Sequence, residues 1–326
     1  MQQPTAIYRQ FLREALRLTW QRKSLWVFGI FAALISTGGV MDIVAASLKK
    51  VQTAGTLLEG LAHSSFIGYE LAGTYIRQMA LLGSGRLTVI VTVATLVGIL
   101  LIVVAVLAQG ALILGLNASK PVTLYTLKLQ AAEHFWALLI IGLLNKLASA
   151  LAVLMLALPL FSFYIATSTN SAALFFLLAI LLIPAQIAIH IIYQFTLLGI
   201  LHHGLSVHAA IVQASRLFAN HWLATLEYGI ILFVLVLSAL FAVIAFLFLL
   251  AVPYALLFTA ALLSGSFLLV LMVNVLLSLA LISLILVFIG ATVTFQYSAW
   301  YEFYKHGLHR VHRKKIFSKI LRLAYR

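Results

Sequence analysis

Gln186, His190 and Gln194 recur at every fourth position, which puts them on one face of any helix that holds them. They lie in a long apolar run. A polar side chain there either hydrogen-bonds to a neighbouring helix or lines a wet path. Lys146 is the sharper anomaly. It follows Asn145, precedes Ser149 and stands well past Trp136 in another apolar run. A cation at mid-bilayer costs at least about 2.5–3.5 kcal/mol, so it must find a cavity, a partner or the interface. Two readings stay open. In one, Asn145, Lys146, Gln186, His190 and Gln194 line a path for a substrate, anion, headgroup or proton. In the other, the span starts near Leu147, Lys146 snorkels to the inner interface, and the Gln and His side chains are glue between helices.

Other chemistry is sparse. His202, His203, His208 and His221 gather on one side, and His306, His309 and His312 recur at threes. Durable metal sites add a carboxylate or thiolate and an oriented outer shell. Only Glu227 and Glu302 are near in sequence, so no metal and no cofactor is expected. The chain has no cysteine, which removes disulfides, thiolate catalysis and iron–sulfur ligation. Phosphate-binding, dinucleotide, zincin and nucleophile-elbow motifs are absent. Beyond Glu14, the carboxylates Asp42, Glu59, Glu70, Glu133, Glu227 and Glu302 are scattered. Acid–base work would need some of them to converge. The chain is expected not to be an enzyme.

The positioning elements follow from composition. Of 326 residues, 64% are apolar and 9% charged, with a mean hydropathy of +1.14. Soluble domains run at about 45–50% and about 25%. A soluble globule, a disordered chain and a disulfide scaffold are excluded. Six segments can span a bilayer: 25–46, 87–117, 136–160, 172–202, 228–252 and 266–299. Three exceed what a hydrocarbon core of about 30 Å requires and must tilt or protrude. The stretch 254–263 after Pro253 reads as a helix end or a re-entrant turn. Small residues such as Ala148, Ala152, Ser238, Ala242 and Ala245 are expected where helices approach closely.

The charge excess is +14. Beside apolar runs it points to an anionic membrane surface and not to nucleic acid. Residues 1–24 lack the compact basic start of a secretory leader. Tyr8, Phe11, Leu12, Ala15 and Leu18 share one helix face; Arg9, Arg13 and Arg17 share another. This predicts a basic amphipathic helix at the membrane surface. The tail, 302–326, predicts a second, with Arg310, Arg313, Lys314, Lys315, Lys319 and Arg322 as its charge. With the N-terminus inside, the inner segments carry sixteen Lys and Arg and the outer ones four. Both termini are therefore expected in the cytoplasm of a bacterial-type plasma membrane. The segment 47–86 becomes an extracytoplasmic loop, too short for an enzyme domain.

One unit recurs three times: an amphipathic stretch, a Trp where the chain enters the membrane, a span, a loop and a longer span. The entering residues are Ser24-Leu25-Trp26, His134-Phe135-Trp136 and Asn220-His221-Trp222. The long spans end near Gln109, Gln194 and Gln296. All three units share one orientation, so they predict parallel helical-hairpin repeats about an axis along the membrane normal. The expected fold is an all-α polytopic bundle of six transmembrane helices in a single membrane domain, 1–326.

The segments Phe11 to Trp26, Thr123 to Trp136 and Ser206 to Trp222 carry a resemblance. With them the chain resembles a loose group of six-span bacterial membrane proteins. That group includes the membrane domain fused to some glycerophosphodiester phosphodiesterases. The resemblance implies a fold. The catalytic domain of the fused members has no counterpart here, so it implies no activity. The leading expectation is a non-enzymatic protein that binds lipid or a partner, or organises the membrane. Anionic inner-leaflet lipid is the expected partner, with a second membrane protein or another copy of the chain as a further one. A transporter or channel using the Lys146, Gln186 and His190 path is the first alternative. A lipid-modifying intramembrane enzyme is the second; it would need His190, His203, Glu133, Glu227 and Lys146 to meet.

Overall fold

Long apolar stretches with few charges become long helices. The computed structural model describes residues 4–36, 84–118, 122–166 and 169–307. In order these form α1 (Pro4–Gln21), α2 (Leu25–Ser36), α3 (Ser84–Asn117), α4 (Leu124–Glu133), α5 (Phe135–Ala166), α6 (Thr169–His203), α7 (Val207–Leu263) and α8 (Phe267–Glu302), then a π-helical turn, Phe303–Gly307. There is no strand among the described residues. The fold is all-α, and α3, α5, α6, α7 and α8 are each long and apolar enough to cross a membrane. The first expected span is described only as α2, to Ser36. Most of the loop 47–86 and the tail past Gly307, with Arg310, Arg313, Lys314, Lys315, Lys319 and Arg322, lie outside the described residues.

Turn chemistry sets the joints. Gly204 (φ 64°) and Gly265 (φ 68°) adopt the left-handed conformation that side chains disfavour. The Gly204 N–H returns to the Ile200 carbonyl at 3.0 Å and closes α6. Ser206 and Ser266 then cap α7 and α8, each accepting a bond from a backbone N–H three residues on. Three breaks precede the tryptophans. The turn Arg22–Ser24 separates α1 from α2, His134 separates α4 from α5, and His221 (φ −132°, ψ 22°) kinks α7. The stretch 254–263 is no re-entrant turn: α7 continues through Pro253 to Leu263.

The short helices dock in a regular way. α1 packs on α8, α4 on α3, and the first segment of α7 on α6. The apolar face of α1 is therefore covered by protein. Tyr8, Phe11, Ala15 and Thr19 are buried, and Thr19 Oγ1 donates to Ser298 Oγ on α8 at 3.3 Å. Leu16 and Trp20 on the flank stay exposed.

Burial is concentrated at one end of the long helices. Ala105–Leu116 of α3, Ile191–Leu201 of α6 and Val293–Tyr304 of α8 with its π-helical turn hold most of the buried positions. Val89–Ile102, Phe233–Leu263 and Phe267–Val287 present exposed apolar side chains. This fits helix length. α3, α5, α6 and α8 have 34, 32, 35 and 36 residues, about 50 Å each at 1.5 Å per residue, some 20 Å more than a hydrocarbon core. The surplus is the packed end.

Helices approach most closely where glycine allows it. α2 lies against α8 and α3. A Cβ on Gly29 would overlap the Gly290 carbonyl, and one on Gly290 would overlap the Trp26 carbonyl. Gly115 of α3 is covered by Leu25 and Leu127. Ser238, Ala242 and Ala245, expected at close contacts, are exposed instead. In lipid, close packing of this kind replaces the hydrophobic drive as a cause of association. Gly290→Val should therefore lower the Tm of the detergent-purified protein, at a cost of about 1–3 kcal/mol. Gly142→Ala, where a Cβ meets open space, should leave it level or raise it slightly. Equal losses for the two would refute this account of the α2–α8 contact.

Candidate functional site

Three polar constellations stand out, all at or beside the packed end. The first lies where α3, α6 and α8 meet. Gln109 Nε2 donates to Tyr193 Oη at 2.8 Å and to Tyr297 Oη at 2.7 Å. Gln194 lies beside Tyr297, and its Nε2 is 3.5 Å from His190 Nε2. Gln109, Tyr193, Gln194 and Tyr297 are all buried. A buried amide away from water must find such partners. This node ties the three long helices together and fills the space between them.

The second constellation is a seam between α5 and α6. Ser149 Oγ donates to the Asn145 carbonyl at 2.8 Å, one turn back, and accepts a short bond from Gln186 Nε2. The Asn145 Oδ1 and Gln186 Oε1 atoms are buried, with no hydrogen-bond partner among the described residues. Lys146 and His190 are exposed at the edge of the seam, and the Lys146 charge lies within electrostatic reach of the His190 ring. The structure thus brings Asn145, Lys146, Ser149, Gln186 and His190 together. Gln194, whose Nε2 lies 3.5 Å from His190 Nε2, links this group to the Gln109 node.

The third constellation is a basic rim. Arg9, Arg13 and Arg17 of α1, Lys128 of α4 and Arg216 of α7 are exposed on helices whose other faces are docked. Lys23 Nζ sits over the Trp20 ring at 5.3 Å. His208 and Arg216 line a groove of about 380 Å³ along α7. The tryptophans at the three breaks share this end, with Trp136 72% and Trp222 50% exposed.

Sequence reasoning missed two anchors. Arg22, counted there as one more inner charge, caps the end of α3. Its guanidinium donates to the Gly115, Leu116 and Ala118 carbonyls, the last at 2.6 Å. A cation on the free carbonyls of a helix C-terminus satisfies them and complements the helix dipole. The other missed anchor is Tyr8, whose hydroxyl donates to Glu227 Oε2 at 3.1 Å. Burial, then the Glu227 charge, raise the Tyr8 pKa above its ordinary value, so the phenol stays a donor. Its ring also lies 6.0 Å from that of Tyr228. Nothing local in the sequence links these partners.

The candidate catalytic residues stand in different settings. Glu227 receives Tyr8, the His203 ring lies 6.0 Å from that of Tyr304, and Glu133 is exposed on α4. Among the described residues no three His, Asp or Glu side chains are grouped to hold a metal.

Comparison with family models, with curated proteins and with solved structures finds no match for this chain.

The axial node carries a direct test. Gln109→Leu leaves the two tyrosine hydroxyls without their shared partner and should cost about 1–3 kcal/mol, read as a lower Tm. Tyr254→Phe removes the peripheral bond to Asn274 Oδ1 and should cost about 0.6 kcal/mol. An effect of Gln109→Leu no larger than that of Tyr254→Phe would remove the node from its central place.

Proposed function

We propose that this chain is a non-enzymatic integral membrane protein that binds and organises anionic lipid at the inner leaflet of a plasma membrane. One observation carries the reading. The short helices dock their apolar faces on the bundle and leave Arg9, Arg13, Arg17, Lys128 and Arg216 outward, at the end that holds the exposed tryptophans. Tryptophans favour the headgroup level, and each basic residue near an anionic leaflet contributes about 1 kcal/mol. Six spans place both termini in the cytoplasm. The fold is three parallel helical-hairpin repeats. The docking order of α1 on α8, α4 on α3 and α7 on α6 supports this, because each short helix lies on the long helix that ends the preceding unit in a closed cycle. The resemblance to the membrane domain of some glycerophosphodiester phosphodiesterases agrees with a role that needs no catalytic group in the bundle. A path through the axis would have to pass the Gln109 node, which weighs against a channel.

Two measurements test the reading. The exposed tryptophans report on neighbouring lipid in vesicles. Brominated phosphatidylglycerol should quench them more than brominated phosphatidylcholine at equal mole fraction. Exchanging Arg9, Arg13 and Arg17 for Gln together should lower that preference about tenfold or more, and high salt should weaken it. Equal quenching of the wild type by the two lipids would end the proposal. Orientation is checked by Lys128→Cys, since the background has no cysteine. A membrane-impermeant thiol reagent should label it only from the cytoplasmic face of the membrane.

A further inference from the structure

The α5–α6 seam has a composition that the basic rim does not explain. It combines one exposed cation, Lys146, an imidazole, His190, and two buried carbonyl oxygens, Asn145 Oδ1 and Gln186 Oε1, that lack donors among the described residues. Buried acceptors of this kind are rare and call for a partner. Two donors beside them are already engaged: Ser149 Oγ bonds to the Asn145 backbone, and Gln186 Nε2 bonds to Ser149.

Depth follows from the helices. Gln194 belongs to the axial node with Gln109 and Tyr297. Gln186 lies eight residues further along α6, about 12 Å toward the other end. Moving the same distance from Tyr297 along α8 leads to Ile289, just short of the exposed apolar stretch Phe267–Val287. From there to Phe267 the helix is long enough for one hydrocarbon thickness. The seam therefore stands where the packed end gives way to the exposed apolar stretch.

We infer that the α5–α6 seam is a binding site for one anionic phospholipid with a hydroxyl-bearing headgroup. This deepens the lipid-binding reading above and rests on it. The phosphate meets Lys146 and His190, and headgroup hydroxyls donate to Asn145 Oδ1 and Gln186 Oε1. The donor count chooses among headgroups. A choline group has no hydrogen to give these oxygens, and an ethanolamine ammonium is repelled by Lys146. A glycerol headgroup offers two hydroxyls without added positive charge.

The test uses the full chain in mixed micelles and counts bound lipid by native mass spectrometry. The probes are phosphatidylglycerol, phosphatidylmethanol (the same charge without headgroup hydroxyls) and phosphatidylcholine. Wild type should retain phosphatidylglycerol most strongly and phosphatidylcholine least. Lys146→Gln should weaken both anionic lipids about fivefold, and Lys146→Arg should restore them, which also reports that the fold is intact. Asn145→Leu with Gln186→Leu should abolish the preference for phosphatidylglycerol over phosphatidylmethanol while keeping that for anionic lipid over phosphatidylcholine. The Arg9, Arg13 and Arg17 triple exchange should spare the hydroxyl preference. Anionic selectivity in the wild type that Lys146→Gln leaves unchanged would overturn the seam site alone. Absence of any anionic selectivity would overturn the reading beneath it as well. Displacement of the lipid by an equal concentration of glycerol 1-phosphate would also overturn the proposal, by assigning the seam to a soluble phosphate.

Discussion

An amide buried among lipid-facing helices has no water to return to, and Gln109 is the clearest case here. Its Nε2 serves two tyrosine hydroxyls from two other helices. The node fixes the relative rotation of α3, α6 and α8, because a turn of any one would strand a polar group. Gly29 and Gly290 let two backbones come close, and Gly110 and Gly115 make room for leucine side chains of neighbouring helices. Where neither device is present, as along Phe233–Leu263, the helices present apolar flanks for lipid to cover.

The packed end is also where the charges are. Arg22 is bound to the carbonyls of α3, while Arg9, Arg13 and Arg17 are exposed. These residues have identical formal charge and different work: one closes a helix, the others face outward. The α5–α6 seam differs again, because its acceptors are buried and its cation is not. Aromatic stacking completes this end. Tyr228 lies on Phe303 with centroids 4.4 Å apart and planes 8° from parallel, and it donates to the Ala299 carbonyl at 2.9 Å.

Much of the architecture was legible in the sequence. Hydropathy located the long helices, and the breaks beside Trp26, Trp136 and Trp222 were marked by interfacial residues. The four-residue spacing of Gln186, His190 and Gln194 correctly gave one helix face. It did not say that the face divides, with Gln186 toward Ser149 and Gln194 toward Tyr297. Division depends on which helices lie alongside, and periodicity within one helix does not encode that. The same limit hid the Arg22 cap, whose acceptors lie about 93–96 positions away, and the Tyr8–Glu227 bond. The α1 stripe of Tyr8, Phe11 and Ala15 predicted an amphipathic helix at a membrane surface without naming α8 as its cover. A periodic apolar face reports only that something apolar covers it.

That stripe has a further meaning in time. The covering helix is α8, and Thr19 is separated from its partner Ser298 by 279 residues. A ribosome adding about 5–20 residues per second needs roughly 14–56 s to make that stretch. Throughout that interval the surface that will hold Phe11 and Ala15 does not exist. The nascent α1 must keep its apolar face somewhere other than water, and the bilayer surface is the place at hand. Its amphipathic pattern suits both addresses, first the leaflet and then α8, so this contact closes only after α8 has been made.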